Sequence, residues 1–176
     1  IVGDFYYEGL SRQERDGLHK RAARYYATEE EDVFKAALHY QHARDFEQAA
    51  QQATNDVFLL ISRGRIRPIR WLLEQFSEEQ LTPHTWVAVN LAQGQIYDVL
   101  QDRSRAKDKY EYAKNLCDSL ENSQFLRARS CLGMAKIFEH ESFETALDWL
   151  QKGINELDVI KDCEPTLAAM IYITQA

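Results

Sequence analysis

His39 and His42 stand three residues apart, the spacing at which two imidazoles on one helix face can meet a common metal ion. No third His or Cys is placed beside them by spacing. Two ligands do not close a zinc site, so both are expected to be ordinary helix-surface histidines and no metal is expected. Glu139 and Glu141 have the residue type of an acid–base pair, but beside Phe143 at a turn they are expected to form a solvated helix end. Cys117, Cys131 and Cys163 are odd in number and lack C-x-x-C spacing, which disfavours a disulfide framework or a zinc ribbon. A thiol nucleophile needs a positioned His, and none is inferable here, so the cysteines are expected to pack in a reducing compartment. No phosphate-cradling G-x-x-x-x-G-K-[ST], G-x-G-x-x-G, H-E-x-x-H or G-x-S-x-G occurs. No catalytic residue, and no cofactor in this stretch of chain, is therefore expected.

Charge offers a different chemistry. Arg63, Arg65, Arg67 and Arg70 fall within eight residues with no acid among them, and Arg103, Arg105, Lys107 and Lys109 form a second cluster. Together they can form a basic patch for phosphates of nucleic acid or for an acidic partner surface. As solvated helix faces they need no partner at all. The whole chain carries a formal charge of -7, so non-specific nucleic-acid binding is not favoured. Residues 139–164 hold eight acids against Lys152 and Lys161, which makes the chain basic in its middle and acidic towards its end.

The elements that must carry these side chains are helical. The chain has 176 residues, is 45% hydrophobic and 28% charged, and holds only 3 Pro and 7 Gly. That suits a buried core and disfavours many short strands. Apolar residues recur in steps of three and four, as in Val89, Ala92, Ile96 and Val99, and no comparable stretch alternates with period two. Breaks fall at Glu29 to Asp32, Asp45, Gly64, Thr82-Pro83, Asp102, Ser142 and Pro165, each with cap or turn chemistry. About nine helices are predicted: 11–28, 31–43, 45–62, 66–76, 83–100, 102–119, 122–140, 143–159 and 165–175. The wholly apolar run Val57 to Ile61 is too short to cross a bilayer, and no charged-then-apolar signal sequence is found at the start of the chain. A cytoplasmic protein without a membrane partner is expected. Ile1 rather than Met opens the chain, so a piece of a longer multidomain protein is expected.

The helices share an internal pattern. Tyr40 and Ala49, Leu60 and Ile69, Tyr97 and Ala106, and Ile137 and Ala146 are each nine residues apart. Gly94-x-x-Tyr97 followed by Ala106-x-x-x-Tyr110-x-x-Ala113 resembles the tetratricopeptide repeat, a helix–turn–helix of about 34 residues. Gln101 stands where that family usually has its turn glycine. The resemblance implies an all-α fold, a right-handed superhelix of antiparallel helix pairs or α-solenoid. It is expected as a single helical-repeat domain over 1–176: opening helices and a first repeat in 1–62, middle repeats in 63–120 and last repeats in 121–176.

Leu18-His19-Lys20-Arg21-Ala22-Ala23-Arg24-Tyr25-Tyr26, then Ala36 to Ala50, then Gly64 through Trp71 to Phe76 follow one another in order. This order resembles the helical sensor region of STAND signal-transduction ATPases of the maltotriose-responsive transcription activator type. The resemblance implies a regulatory module that binds an inducer and relieves autoinhibition of an ATPase module of the same chain. A constitutive protein-interaction scaffold and a nucleic-acid-binding repeat domain are the alternatives. In such a superhelix the first helices of successive repeats line a concave groove. By the matched spacing that groove is expected to present Phe34, Leu38, Gln41 and His42, then Ala88, Leu91, Gln95 and Asp98, then Arg127, Ser130, Met134 and Ile137. Apolar platforms with amide and guanidinium donors suit a peptide, a helix or a sugar as the unknown inducer.

Overall fold

The computed structural model describes residues 7–55 and 57–158. Among these residues there are nine α-helices, one short 3₁₀ turn at Glu78–Gln80, and no strand. The helices are α1 (Arg12–Thr28), α2 (Val33–His42), α3 (Phe46–Asn55), α4 (Val57–Ser62), α5 (Ile66–Leu73), α6 (Pro83–Val99), α7 (Arg103–Asp118), α8 (Gln124–Phe138) and α9 (Phe143–Asp158). The expected span 45–62 is covered by α3 and α4, with residue 56 between them outside the described residues. The predicted helix 165–175 and Cys163 lie outside the described residues. No described helix is long and apolar enough to cross a membrane.

The chain falls into two compact units, Ile1–Leu81 and Thr82–Ala176. In the first, α1 packs on α2 and α2 on α3. The contacts are made by small residues: Ala23, Ala36, Ala37, Ala49, Ala50 and Ala53 are all fully buried. Alanine at these crossings lets helix backbones approach closely, at little side-chain entropy cost. Val57 and Leu60 of α4, Ile69, Leu72 and Leu73 of α5, and Phe76 just beyond it supply the larger buried side chains.

In the second unit each helix packs on the next, and α6 also reaches α8. One apolar cluster joins Val87 and Leu91 of α6, Ala106, Tyr110, Ala113 and Cys117 of α7, and Met134 and Ile137 of α8. Another joins Ala128, Leu132 and Ala135 of α8 to Leu150, Ile154 and Leu157 of α9. Helix α8 is therefore apolar on two faces because it has neighbours on two sides. Tyr110, 2% exposed, lies against two glycines. A Cβ on Gly94 would stand 2.7 Å from its ring, and one on Gly133 would stand 2.5 Å from it. Both distances are shorter than carbon atoms tolerate, so these two helix positions must be bare for α6 and α8 to close on the ring.

Three corners of the chain are built alike. Arg44, Gly64 and Gln101 take left-handed backbone, with φ of 57°, 73° and 60°. Their amides donate to the carbonyls of Gln41, Ile61 and Asp98, and the next amides, of Asp45, Arg65 and Asp102, donate back to Tyr40, Leu60 and Tyr97. This double closure is a Schellman motif. Four residues further on, the amides of Ala49, Ile69 and Ala106 bond to the carbonyls of Asp45, Arg65 and Asp102, opening the next helix. The nine-residue spacing read in the sequence is thus five residues of corner plus four of first turn. The fourth instance, Ile137 to Ala146, closes differently: both Glu141 and Ser142 donate to the Phe138 carbonyl, and no left-handed residue intervenes.

Left-handed backbone penalises a Cβ. Gly64→Ala is therefore expected to cost about 1–2 kcal/mol. Gln101→Gly, which relieves the same strain but loosens the unfolded chain, is expected to gain roughly 0.5 kcal/mol. Urea unfolding midpoints check both; equal shifts of one sign would show that the corners carry no backbone strain.

Candidate functional site

Side chains that sequence spacing assigned to an open groove divide sharply. Phe34, Leu38, Gln41, Ala88, Gln95 and Asp98 are partly exposed and His42 is exposed. Leu91, Ser130, Met134 and Ile137 are at most 1% exposed and cannot line an open surface. Leu91, Met134 and Ile137 meet in the core shared by α6, α7 and α8. The Ser130 hydroxyl donates to the Leu126 carbonyl of its own helix. The cause is packing: Leu91 of α6 and Met134 and Ile137 of α8 sit on the faces these helices turn to α7 and to each other.

Arg127, the remaining groove residue, is structural. Its guanidinium donates to the Cys117 carbonyl from Nε at 3.3 Å and from one terminal nitrogen at 3.0 Å, and that nitrogen also reaches the Leu120 carbonyl. It closes the C-terminus of α7, where carbonyls lack helical partners, and pairs with Glu156 at 3.7 Å. The surface that survives on α6 is Ala88, Gln95 and Asp98. The side-chain oxygen of Gln95 is shielded from solvent and takes no hydrogen bond from the described residues.

The basic residues are largely engaged. Arg65 pairs with Asp32 at 3.1 Å and lies over the Phe34 ring, and Arg70 reaches Glu74 at 3.5 Å. The Arg105 Nε donates to Asp102 at 2.6 Å, and its guanidinium covers Tyr97. Lys107 lies between Glu111 and the Phe138 ring, and Lys109 donates to the Asn90 side-chain oxygen at 3.1 Å. Arg63, Arg67 and Arg103 are exposed. The first cluster belongs to one compact unit and the second to the other. Asp102 is held below the usual carboxylate range by the hydrogen bonds of Arg105, side chain first and backbone amide second.

A constellation not foreseen from spacing sits where α1 meets α2. The His19 Nδ1 lies 2.9 Å from the His39 Nδ1, and the His19 Nε2 lies 2.7 Å from the Tyr7 hydroxyl. The His42 ring stacks on His19 with centroids 5.1 Å apart, and the Tyr26 ring stacks on His39 at 5.3 Å, nearly parallel. The Lys35 ammonium stands 4.9 Å over Tyr26. Burial, then His42, then His39 hold His19 below the usual imidazole value, with Asp16 opposing; burial and then His42 do the same for His39. The third histidine was legible in principle: His19 falls twenty residues before His39, on the preceding predicted helix. Metal binding does not follow. Among the described residues no group of three or more His, Cys, Asp or Glu is arranged to hold an ion, and His19 and His39 spend their facing nitrogens on each other.

Cys117 and Cys131 are buried free thiols, each pushed up to about 11, chiefly by burial. At neutral pH they are protonated and poor nucleophiles. Comparison with protein-family models, with curated proteins and with solved structures finds no match to this chain.

Proposed function

We propose that this chain is a regulatory binding module: the helical-repeat sensor of a STAND-type ATPase, in which stacked antiparallel helix pairs form a right-handed superhelix. An inducer bound on the inner faces of its first helices relieves autoinhibition. The observation that carries this reading is the threefold recurrence of one corner, at Arg44, Gly64 and Gln101, with the same register of hydrogen bonds. A repeated corner is what a stack of equivalent helical hairpins requires, and such stacks present extended binding surfaces. The order of the three STAND-like segments along the chain supports the regulatory role. With the buried residues and Arg127 set aside, the first unit by itself offers Phe34, Leu38, Gln41 and His42, and the second by itself Ala88, Gln95 and Asp98.

The mechanism is differential affinity. An inducer that binds the active and the inhibited state equally shifts nothing. The test is ATP turnover of the intact parent protein, titrated with candidate sugars and peptides. Turnover is expected to rise on binding. Gln95→Ala with Asp98→Ala is expected to raise the half-saturating concentration about tenfold while basal turnover is unchanged. Turnover that ignores every inducer, together with a stable partner whose affinity ignores nucleotide, would instead assign a constitutive scaffold. Nucleic-acid binding is the weaker alternative, because Arg65, Arg70, Arg105 and Lys107 already face acids.

A further inference from the structure

We propose that the paired imidazoles of His19 and His39 form an acid-sensitive latch that holds α1 on α2. Two nitrogens 2.9 Å apart share one hydrogen: one ring donates N–H and the other accepts on a bare nitrogen. The Tyr7 hydroxyl, 2.7 Å from the other side of His19, extends this chain of hydrogen bonds. One added proton leaves an imidazolium donating to an imidazole, and the contact survives. A second proton sets N–H against N–H, and the contact opens. The cluster is placed to feel that second charge. His42 stacks on His19 from α2, and Lys35, also on α2, stands over the Tyr26 ring that covers His39. Arg15 lies over the Tyr7 ring. Against these cations, Asp16 is the acid that acts on His19. Nearby on α1, Lys20 is already paired with Asp45 at 2.8 Å.

The sign follows from the direction of the shifts. Both imidazoles resist protonation in the folded chain more than in the unfolded one, whose value is 6.5. The unfolded chain therefore binds more protons as pH falls below about 6.5, and the docked state loses stability there. Above that value the latch is fully closed. Besides these rings, α1 is held by Ala23, its one buried residue, and by the Lys20–Asp45 pair.

Hydrogen exchange on the full chain, corrected for intrinsic rates, tests this at about pH 7.5 and pH 5.5, either side of an ordinary imidazole value. Amides of α1 are expected to lose protection roughly tenfold or more at the lower pH, while α6 to α9 keep theirs. His39→Phe keeps the stack on Tyr26 and removes the facing nitrogen; α1 protection in this variant is expected to be low at both pH values and insensitive to acid. If that variant does not fold, His42→Gln, at an exposed position, is expected to weaken the acid response by removing a neighbouring charge. A flat profile in the unaltered chain, an equal loss in both units, or an undiminished response in the variants would overturn the latch.

Discussion

Tyr110→Ala is expected to remove about 3–5 kcal/mol, the usual cost of deleting a large aromatic from a core. Total stabilities are about 5–15 kcal/mol, so this one change takes a large share. The ring joins three helices. It comes from α7, is 2% exposed, and fills the gap where Gly94 of α6 and Gly133 of α8 present bare backbone. At both glycines the nearest neighbouring atoms belong to this ring, so its loss opens a void at the junction. Tyr110→Phe separates ring from hydroxyl and is expected to stay within about 1.5 kcal/mol. The phenol is pushed above its ordinary value by burial and then by Asp98, with Arg129 opposing, so it stays neutral. Urea unfolding followed by near-ultraviolet circular dichroism measures both. A loss below about 1 kcal/mol for Tyr110→Ala would show that the core relaxes around the cavity.

Gly133→Ala is expected to destabilise by about 1–3 kcal/mol, against the sign of helix propensity. Alanine is normally the better helix former by about 1 kcal/mol. Here its methyl carbon would stand 2.5 Å from the Tyr110 ring, and retreat is blocked by Gly94 on the other helix. Gly17 is the internal control, because nothing lies within 4 Å of a Cβ added there. Gly17→Ala on α1 is expected to gain about 0.5–1 kcal/mol. Combining Gly133→Ala with Tyr110→Leu is expected to cost less than the two changes separately, since a smaller side chain makes room for the methyl. Thermal unfolding of the four variants decides it. A stabilised Gly133→Ala, or strict additivity, would remove the glycine clamp as an explanation.

Helices and corners were legible in the residues, because both are local. Val89 to Val99 keep a 3.6-residue rhythm, and Asp102, Thr82 and Gly64 carry cap chemistry that depends on two or three neighbours. The nine-residue interval from Tyr97 to Ala106 is legible as a repeated pattern, and it is the length of one corner plus the first turn after it. Long-range partnership was not legible. Leu91, Met134 and Ile137 have the spacing of a groove, yet they are core, because spacing gives the face and not what covers it. Arg127 and Arg65 read as ligands or patch members, but Cys117 on the preceding helix and Asp32, thirty-three residues away, take them. The histidine cluster was missed for the same reason: its third member lies on another helix. The coarse class, all helix, follows from the pattern; the assignment of inner and outer surfaces needs the neighbours of each helix.

The repeated corners have a kinetic consequence. Each is closed by bonds between residues only three and five apart, so joining its two helices incurs almost no loop-closure penalty. Low contact order favours folding in microseconds to milliseconds. Each of the three corners is thus a local site from which its helix pair can form early, ahead of the longer-range contacts between helices.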